Sequence, residues 1–225
     1  MRIVFGNQKG GAGKSTLCAL LANYLAIEKQ VPVLVLDMDS QQSLRSMRER
    51  DMMVQAEMPY QIETMRTEEY AKYRQEFANK DIYILMDLPG TLDDKHLKAI
   101  LQDADYIICP FRYDFVSFVS TLDFTDVVES YTPKHPQNKA GKENKGKPNN
   151  RIFYVPNMVK ANVNYEQQQK ANETLSEKGV VTTPISDRVT LQRIQTYALT
   201  IEQKGIVETV FDFIYEAMKE PELIV

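Results

Sequence analysis

Histidine and cysteine are scarce in this chain of 225 residues: there are two histidines, His96 and His135, and two cysteines, Cys18 and Cys109. Two histidines so far apart give no basis for a histidine-built metal or acid–base centre. Both cysteines sit inside apolar stretches without metal-ligand spacing. That predicts buried packing thiols in a reducing compartment and argues against a cysteine-held cluster. No apolar run approaches the roughly 18 residues that span a bilayer. A single arginine precedes the first apolar segment, so no signal peptide is expected. The net charge of −4 argues against a protein coated in basic surface. What is present is ordinary for a globular protein: 43% hydrophobic and 26% charged residues, enough for a normal core, in a length that favours one α/β domain, residues 1–225, over two.

The informative stretch is Lys9-Gly10-Gly11-Ala12-Gly13-Lys14-Ser15-Thr16. It follows the apolar run Ile3-Val4-Phe5 and opens a long apolar helix near Ser15. Strand, glycine turn, helix is the setting of a phosphate-binding loop. Glycines let the backbone curl until its N–H groups point into one concavity, where side chains would hold a phosphate away. Lys14 is then placed for β- and γ-phosphates, the Ser15 hydroxyl for Mg²⁺, and Thr16 for the α-phosphate. The general pattern G-x-x-x-x-G-K-[ST] wants a glycine where Gln8 stands. The form here, KGGxGK[ST], carries an extra lysine, Lys9.

The rest of the chain alternates strand and helix. Leu17 to Ile27 is apolar almost all round, which predicts a helix packed on most sides. Val31 to Leu36 is a continuous apolar run, typical of a strand buried on both faces, and it delivers Asp37 and Asp39. In open α/β sheets ligands sit at the carboxyl ends of strands, so these acids are placed for chemistry; helix capping by Asp39 or Ser40 is the plainer alternative. Pro59 to Glu63 reads as a short edge strand and Thr67 to Ala78 as an amphipathic helix. Asp81 to Met86 is a third strong strand, delivering Asp87-Leu88-Pro89-Gly90. A hydrophobic strand ending in Asp suits a carboxylate that holds Mg²⁺ through water, and Pro-Gly suits a mobile turn. A helix is predicted over 94–102, a strand over 106–109 and a helix over 115–131. The segment Lys134 to Arg151 holds six basic residues against one acid, Glu143, and a flexible basic loop is expected over 133–150. A strand from Arg151 delivers Asn157. A helix over 165–178, a short strand over 180–183, a helix from Ser186 or Asp187 to about Leu199, and a last helix over 206–219 complete the alternation. The fold class is α/β: a doubly wound, mostly parallel sheet with helices on both faces.

With Asn7-Gln8 before it, the stretch NQKGGAGKST resembles the ParA/Soj-type partition ATPases, whose deviant Walker A loop carries the second lysine. Asp37-x-Asp39 with Gln41, Asp87-x-Pro-Gly and an asparagine after a late strand follow in the same order. The resemblance spans nearly the whole chain, and is to the small form without an N-terminal DNA-binding domain, similar to ParA-like proteins of conjugative transposons and plasmids. It implies a P-loop NTPase fold and Mg²⁺-dependent hydrolysis of ATP. It implies that Gly10, Gly11, Ala12, Gly13, Lys14, Ser15 and Thr16 bind the phosphates and that Ser15, Asp37 and Asp87 serve the metal. Asp39 would position the attacking water, Lys9 would reach the phosphates of a partner subunit, and Asn157 would read the adenine edge. The family form Asp-x-Asp-Pro-Gln has proline where this chain has Ser40. The resemblance further implies an ATP-bound homodimer that binds DNA without reading sequence, a ParB-like or other adaptor that stimulates hydrolysis, and a cytoplasmic, nucleoid-associated location without a membrane partner. Candidate DNA contacts are Arg188, Arg193 and Lys204; the basic loop is a second candidate patch.

Two other classes use the same scaffold. A MinD-like membrane-positioning switch wants a basic amphipathic C-terminal helix, whereas residues 210–225 carry four acids and one lysine. A small-molecule enzyme, dethiobiotin-synthetase-like, would need an acid–base constellation outside the phosphate loop; a nitrogenase-iron-protein-like reductase would need cluster-binding cysteines.

Overall fold

The computed structural model describes residues 1–91, 95–131, 151–162 and 164–220. The basic segment expected as a loop over 133–150 lies outside them, as do the last five residues of the acidic tail.

Seven strands form one sheet: β1 (Arg2–Phe5), β2 (Val33–Asp37), β3 (Gln61–Thr64), β4 (Tyr83–Asp87), β5 (Tyr106–Phe111), β6 (Ile152–Pro156) and β7 (Val180–Val181). Their order is β3-β2-β4-β1-β5-β6-β7. Every pairing is parallel, so the expected mostly parallel sheet is wholly parallel among the described residues. The helices are α1 (Lys14–Asn23), α2 (Ser43–Met52), α3 (Tyr70–Ala78), α4 (Leu97–Asp103), α5 (Phe115–Tyr131), α6 (Tyr165–Ser176) and α7 (Ile201–Lys219).

Strand side chains alternate between two cores. Ile3, Phe5, Val35, Leu85, Ile108 and Phe153 face α1 and α7. Val4, Leu36, Met86, Ile107 and Tyr154 face α3, α4, α5 and α6. Both faces of the central strands are thus covered, which is why they read as unbroken apolar runs. Eight of the ten residues of α1 are buried, in keeping with its lack of a polar face. Cys18 and Cys109 are free and buried, one in each core. No helix among the described residues is long and apolar enough to cross a membrane.

One expected helix is absent. Between Ser186 and Leu199 the chain makes only a short 3₁₀ turn, Val189–Gln192, and then runs irregularly to Thr200. The reason is that side chains of other elements take its backbone groups. Asn23 donates to the carbonyls of Gln195 (2.7 Å) and Ala198 (2.9 Å). Arg48 donates to the Thr196 carbonyl (3.1 Å), Arg50 to that of Ile194 (2.9 Å), and Asp51 accepts the Thr196 N–H (2.6 Å). Backbone that a helix would satisfy internally is satisfied here by tertiary partners. The last helix accordingly starts at Ile201, not 206, behind a capping box in which the Thr200 hydroxyl accepts the Gln203 N–H and Gln203 Oε1 accepts the Thr200 N–H. The signal, Thr-x-x-Gln before an apolar run, stands in the sequence. Arg151 also differs from its expected place in a basic patch: it donates to the carbonyls of Leu101 and Ala104 (3.1 Å each) at the end of α4.

Asp51 is 3% exposed. Burial pushes its pKa up, but hydrogen bonds from Thr196 and the Arg50 guanidinium more than reverse this and hold it below the usual carboxylate range. Asp51→Ala strips the buried Thr196 N–H of its acceptor and should lower unfolding stability by about 2–4 kcal/mol, read from the urea midpoint. Glu49→Ala, which breaks only the exposed Arg45–Glu49 pair, should stay within about 0.5 kcal/mol.

Candidate active site

The loop between β1 and α1 is shaped by close contacts that exclude side chains. Gly11 and Gly13 hold φ of +77° and +94°, the left-handed region that glycine enters without strain. A Cβ on Gly13 would lie 2.2 Å from Asn157 Nδ2, and one on Gly6 2.2 Å from the Phe124 ring. Asn157 donates to the Ala12 carbonyl at 2.9 Å and is 2% exposed. In this structure its side-chain amide braces the loop at Ala12. Asn7, also buried, donates to the Pro110 carbonyl (2.8 Å) and the Thr121 hydroxyl (3.0 Å), and its Oδ1 accepts the Lys9 N–H (3.2 Å). It ties the mouth of the loop to β5 and α5. Asn7 stands in the family-like motif but has no role in the reading of the sequence.

Lys14, Ser15 and Thr16 open α1, so the free N–H groups of its first turn and the loop glycines share one concavity. The Lys14 side chain folds back over the loop and is 8% exposed. Gly90 faces it: a Cβ there would lie 3.6 Å from Lys14 Nζ and 3.4 Å from the Gln8 carbonyl oxygen. The Asp87–Gly90 turn therefore lies directly against the loop.

Beneath Lys14 and Ser15 lie two carboxylates. The register pairs Asp37 with Asp87 across β2 and β4, at the carboxyl edge of the sheet. Asp87 is fully buried and Asp37 is 2% exposed. Asp37 Oδ2 accepts the Arg45 N–H at 2.9 Å. Among the described residues, Asp37 Oδ1 and both oxygens of Asp87 have no hydrogen-bond partner. Burial pushes the Asp87 carboxyl up to about 7, against the pull of the Ser15 hydroxyl and the Lys14 ammonium, and the charges of Asp37 and Asp39 add to the rise. Burial likewise raises Asp37, opposed by backbone N–H groups of Arg45, Leu44 and Asp39. Three buried acceptor atoms without donors, beside a hydroxyl, make a place for a hard cation with oxygen ligands. No group of three or more His, Cys, Asp or Glu side chains that could cage a metal occurs among the described residues.

Asp39 is half-buried in the loop after β2, and its Oδ1 accepts the Gln41 N–H at 2.9 Å. Gln42 ends that loop at φ +48°, and Met158, next to Asn157, stands at φ +54°. Two non-glycine residues held in a sparsely populated region flank the site. Lys9 Nζ lies 3.0 Å from Asp114 Oδ1, at the start of the same chain's α5. Asp114 carries no signal in the local sequence, yet it follows the carboxyl end of β5, the same kind of place that singles out Asp37 and Asp87. Arg188 and Arg193 are exposed at the two ends of the 3₁₀ turn. Lys204 is held by Glu28 at 2.6 Å, with Glu208 at 3.7 Å.

Because Asp87 binds its proton more tightly folded than unfolded, ionising it costs stability as pH rises from the ordinary value of 3.8 to about 7. Asp87→Asn should therefore stabilise the metal-free protein at pH 8 by about 2–4 kcal/mol, with the gain fading towards pH 4. Thermal melts in chelator across that range check it.

Comparison with known proteins agrees with this geometry. The family model described as the CobQ/CobB/MinD/ParA nucleotide binding domain matches residues 3–201. No curated protein matches the sequence. Among solved structures, a putative plasmid partition protein from Borrelia burgdorferi bound to AMPPNP aligns with a TM-score of 0.70 at 20% identity, covering 96% of this chain and 98% of that one. A chain of the MinC:MinD cell division protein complex of Aquifex aeolicus gives 0.67 at 17%, covering 97% and 96%. The pNOB8 ParA bound to nonspecific DNA gives 0.61 at 17%, covering 97% and 99%. These likenesses are of fold. The family match over residues 3–201 is of sequence, and by it the chain belongs to the CobQ/CobB/MinD/ParA nucleotide-binding domain family.

Proposed function

We propose that this protein is an ATP-hydrolysing switch of the ParA type, which dimerises around ATP, rides on DNA without reading its sequence, and lets go on hydrolysis. The observation that carries the reading is the set of donorless buried oxygens on Asp37 and Asp87 directly under Lys14 and Ser15. A glycine loop, a lysine and a cation-shaped deficit in one place suit a nucleotide triphosphate with Mg²⁺.

The residues divide the work as follows. The N–H groups of residues 10–16 and the Lys14 ammonium hold the phosphates. Ser15, Asp37 and Asp87 hold Mg²⁺, which when bound offsets the charge on the β- and γ-phosphates. Asp39, less buried than Asp37 and Asp87, orients water for attack. Lys9 serves the phosphates of a second subunit. Gly90, in contact with the loop, lets the 87–90 turn register what the loop holds. Asn157 keeps the loop in shape. Arg188 and Arg193 supply the DNA contact; Lys204, already paired with Glu28, contributes less. An adaptor of the ParB kind stimulates turnover, and the protein works in the cytoplasm on the nucleoid, in the upkeep of a plasmid, transposon or chromosome. The neighbours bound to AMPPNP and to nonspecific DNA support this reading.

The test is binding to random-sequence duplex with ATP, ADP or no nucleotide. Asp39→Ala should cut hydrolysis about 100-fold or more while leaving ATP bound, and should hold the protein on DNA in the ATP state. Four arginines across a dimer imply an affinity loss on the order of 100-fold between about 50 and about 200 mM salt. Arg193→Ala should flatten that dependence. Equal binding in all three nucleotide states, or none in any, would overturn the DNA reading.

A further inference from the structure

Lys9 does not point at its own phosphate loop. Its backbone N–H is fixed by Asn7 Oδ1, and its side chain crosses to the start of α5, where Nζ meets Asp114 Oδ1 at 3.0 Å. Asp114 also serves the helix, since the same oxygen accepts the Ser117 N–H at 3.0 Å and so caps the start of α5. Its other oxygen lies 3.5 Å from Arg112 Nε. Burial pushes the Asp114 carboxyl up, but Ser117, Lys9 and Arg112 outweigh it and hold it below the usual carboxylate range. The pair is itself partly open, with side-chain exposures of 27% for Lys9 and 40% for Asp114. Just beyond it, Phe115 is 74% and Val116 60% exposed, an apolar face open to a second molecule.

We propose that Asp114 is a positioning residue that keeps Lys9 in a self-directed state, and that Lys9 must exchange this carboxylate for the phosphates of a second copy of the chain when the ATP dimer forms. The proposal rests on the dimer reading above. One ammonium cannot face Asp114 on its own chain and serve a partner's site at once. Forming the dimer therefore breaks two such pairs, one per subunit, and the strength of the pair sets how much ATP is needed to assemble it. A pair as exposed as this favours the monomer by up to about fivefold. Two pairs multiply to up to about 25-fold in the dimer dissociation constant.

Asp114→Asn separates the cap from the ion pair. Asparagine keeps an oxygen for the Ser117 N–H and removes the charge that holds Lys9. The experiment is sedimentation velocity of the wild type and variant with AMPPNP and Mg²⁺ over a range of protein concentration, at low and high salt, with melts of the nucleotide-free proteins alongside. The expected result is a dimer about 5- to 25-fold tighter for Asp114→Asn, a gap that narrows at high salt as the wild-type pair is screened, and an unchanged melting temperature. Asp114→Ala, which also loses the cap, should melt earlier yet dimerise as tightly as the asparagine variant. A wild type that dimerises with AMPPNP while Asp114→Asn dimerises equally or more weakly overturns the proposal and leaves the dimer reading standing. A wild type that stays monomeric overturns the dimer reading, and the proposal with it.

Discussion

Burying two carboxylates side by side is the constraint on which the carboxyl edge of this sheet depends. Asp37 and Asp87 are register partners on neighbouring strands, and three of their four oxygens have no donor among the described residues. Charged and unpaired, such a pair is strongly unfavourable in a protein interior. The surroundings answer it in part. Arg45 and its neighbours lend backbone N–H groups to Asp37, while Lys14 and Ser15 lean over Asp87. The remainder of the deficit is an invitation to a cation, and it explains why the lysine of the loop lies folded and nearly buried.

That constraint radiates outward through steric fit. The loop above the acids holds its curve because Gly13 leaves room for Asn157, and Asn157 in turn ties the Ala12 carbonyl. Asn7 joins the loop to β5 and α5, and Gly90 brings the turn after β4 against Lys14. Loop, acids and turn are one packed unit, so a change in any of them is felt by the others at van der Waals distance.

Much of this is legible in the chain. Unbroken apolar runs mark β2, β4 and β5 because both faces of those strands are covered, and the acids at the ends of β2 and β4 stand out for that reason. The glycine loop announces itself by residue types that only a tight backbone needs. Less legible is the region after Ser186. There, local pattern suggests a helix, and Asn23, Arg48, Arg50 and Asp51, all more than 140 residues away, decide otherwise. Asn157 is visible as a residue at a strand end, but its place beneath the loop depends on a glycine it nearly touches. Asp114 is silent in the sequence because its partner is 105 positions distant.

The irregular stretch from Ile194 to Ala198 has a consequence for how sequences of this kind can drift. Its shape is encoded in side chains of α1 and α2 together with its own Thr196. Asn23, Arg48, Asp51 and Thr196 each complete the hydrogen bonding of another, or of the backbone between them. No one of these positions can change freely while the others stay. Four places scattered along the chain thus form a single unit of inheritance, expected to vary together, and the exposed Arg193 next to them in the chain travels on that shared foundation.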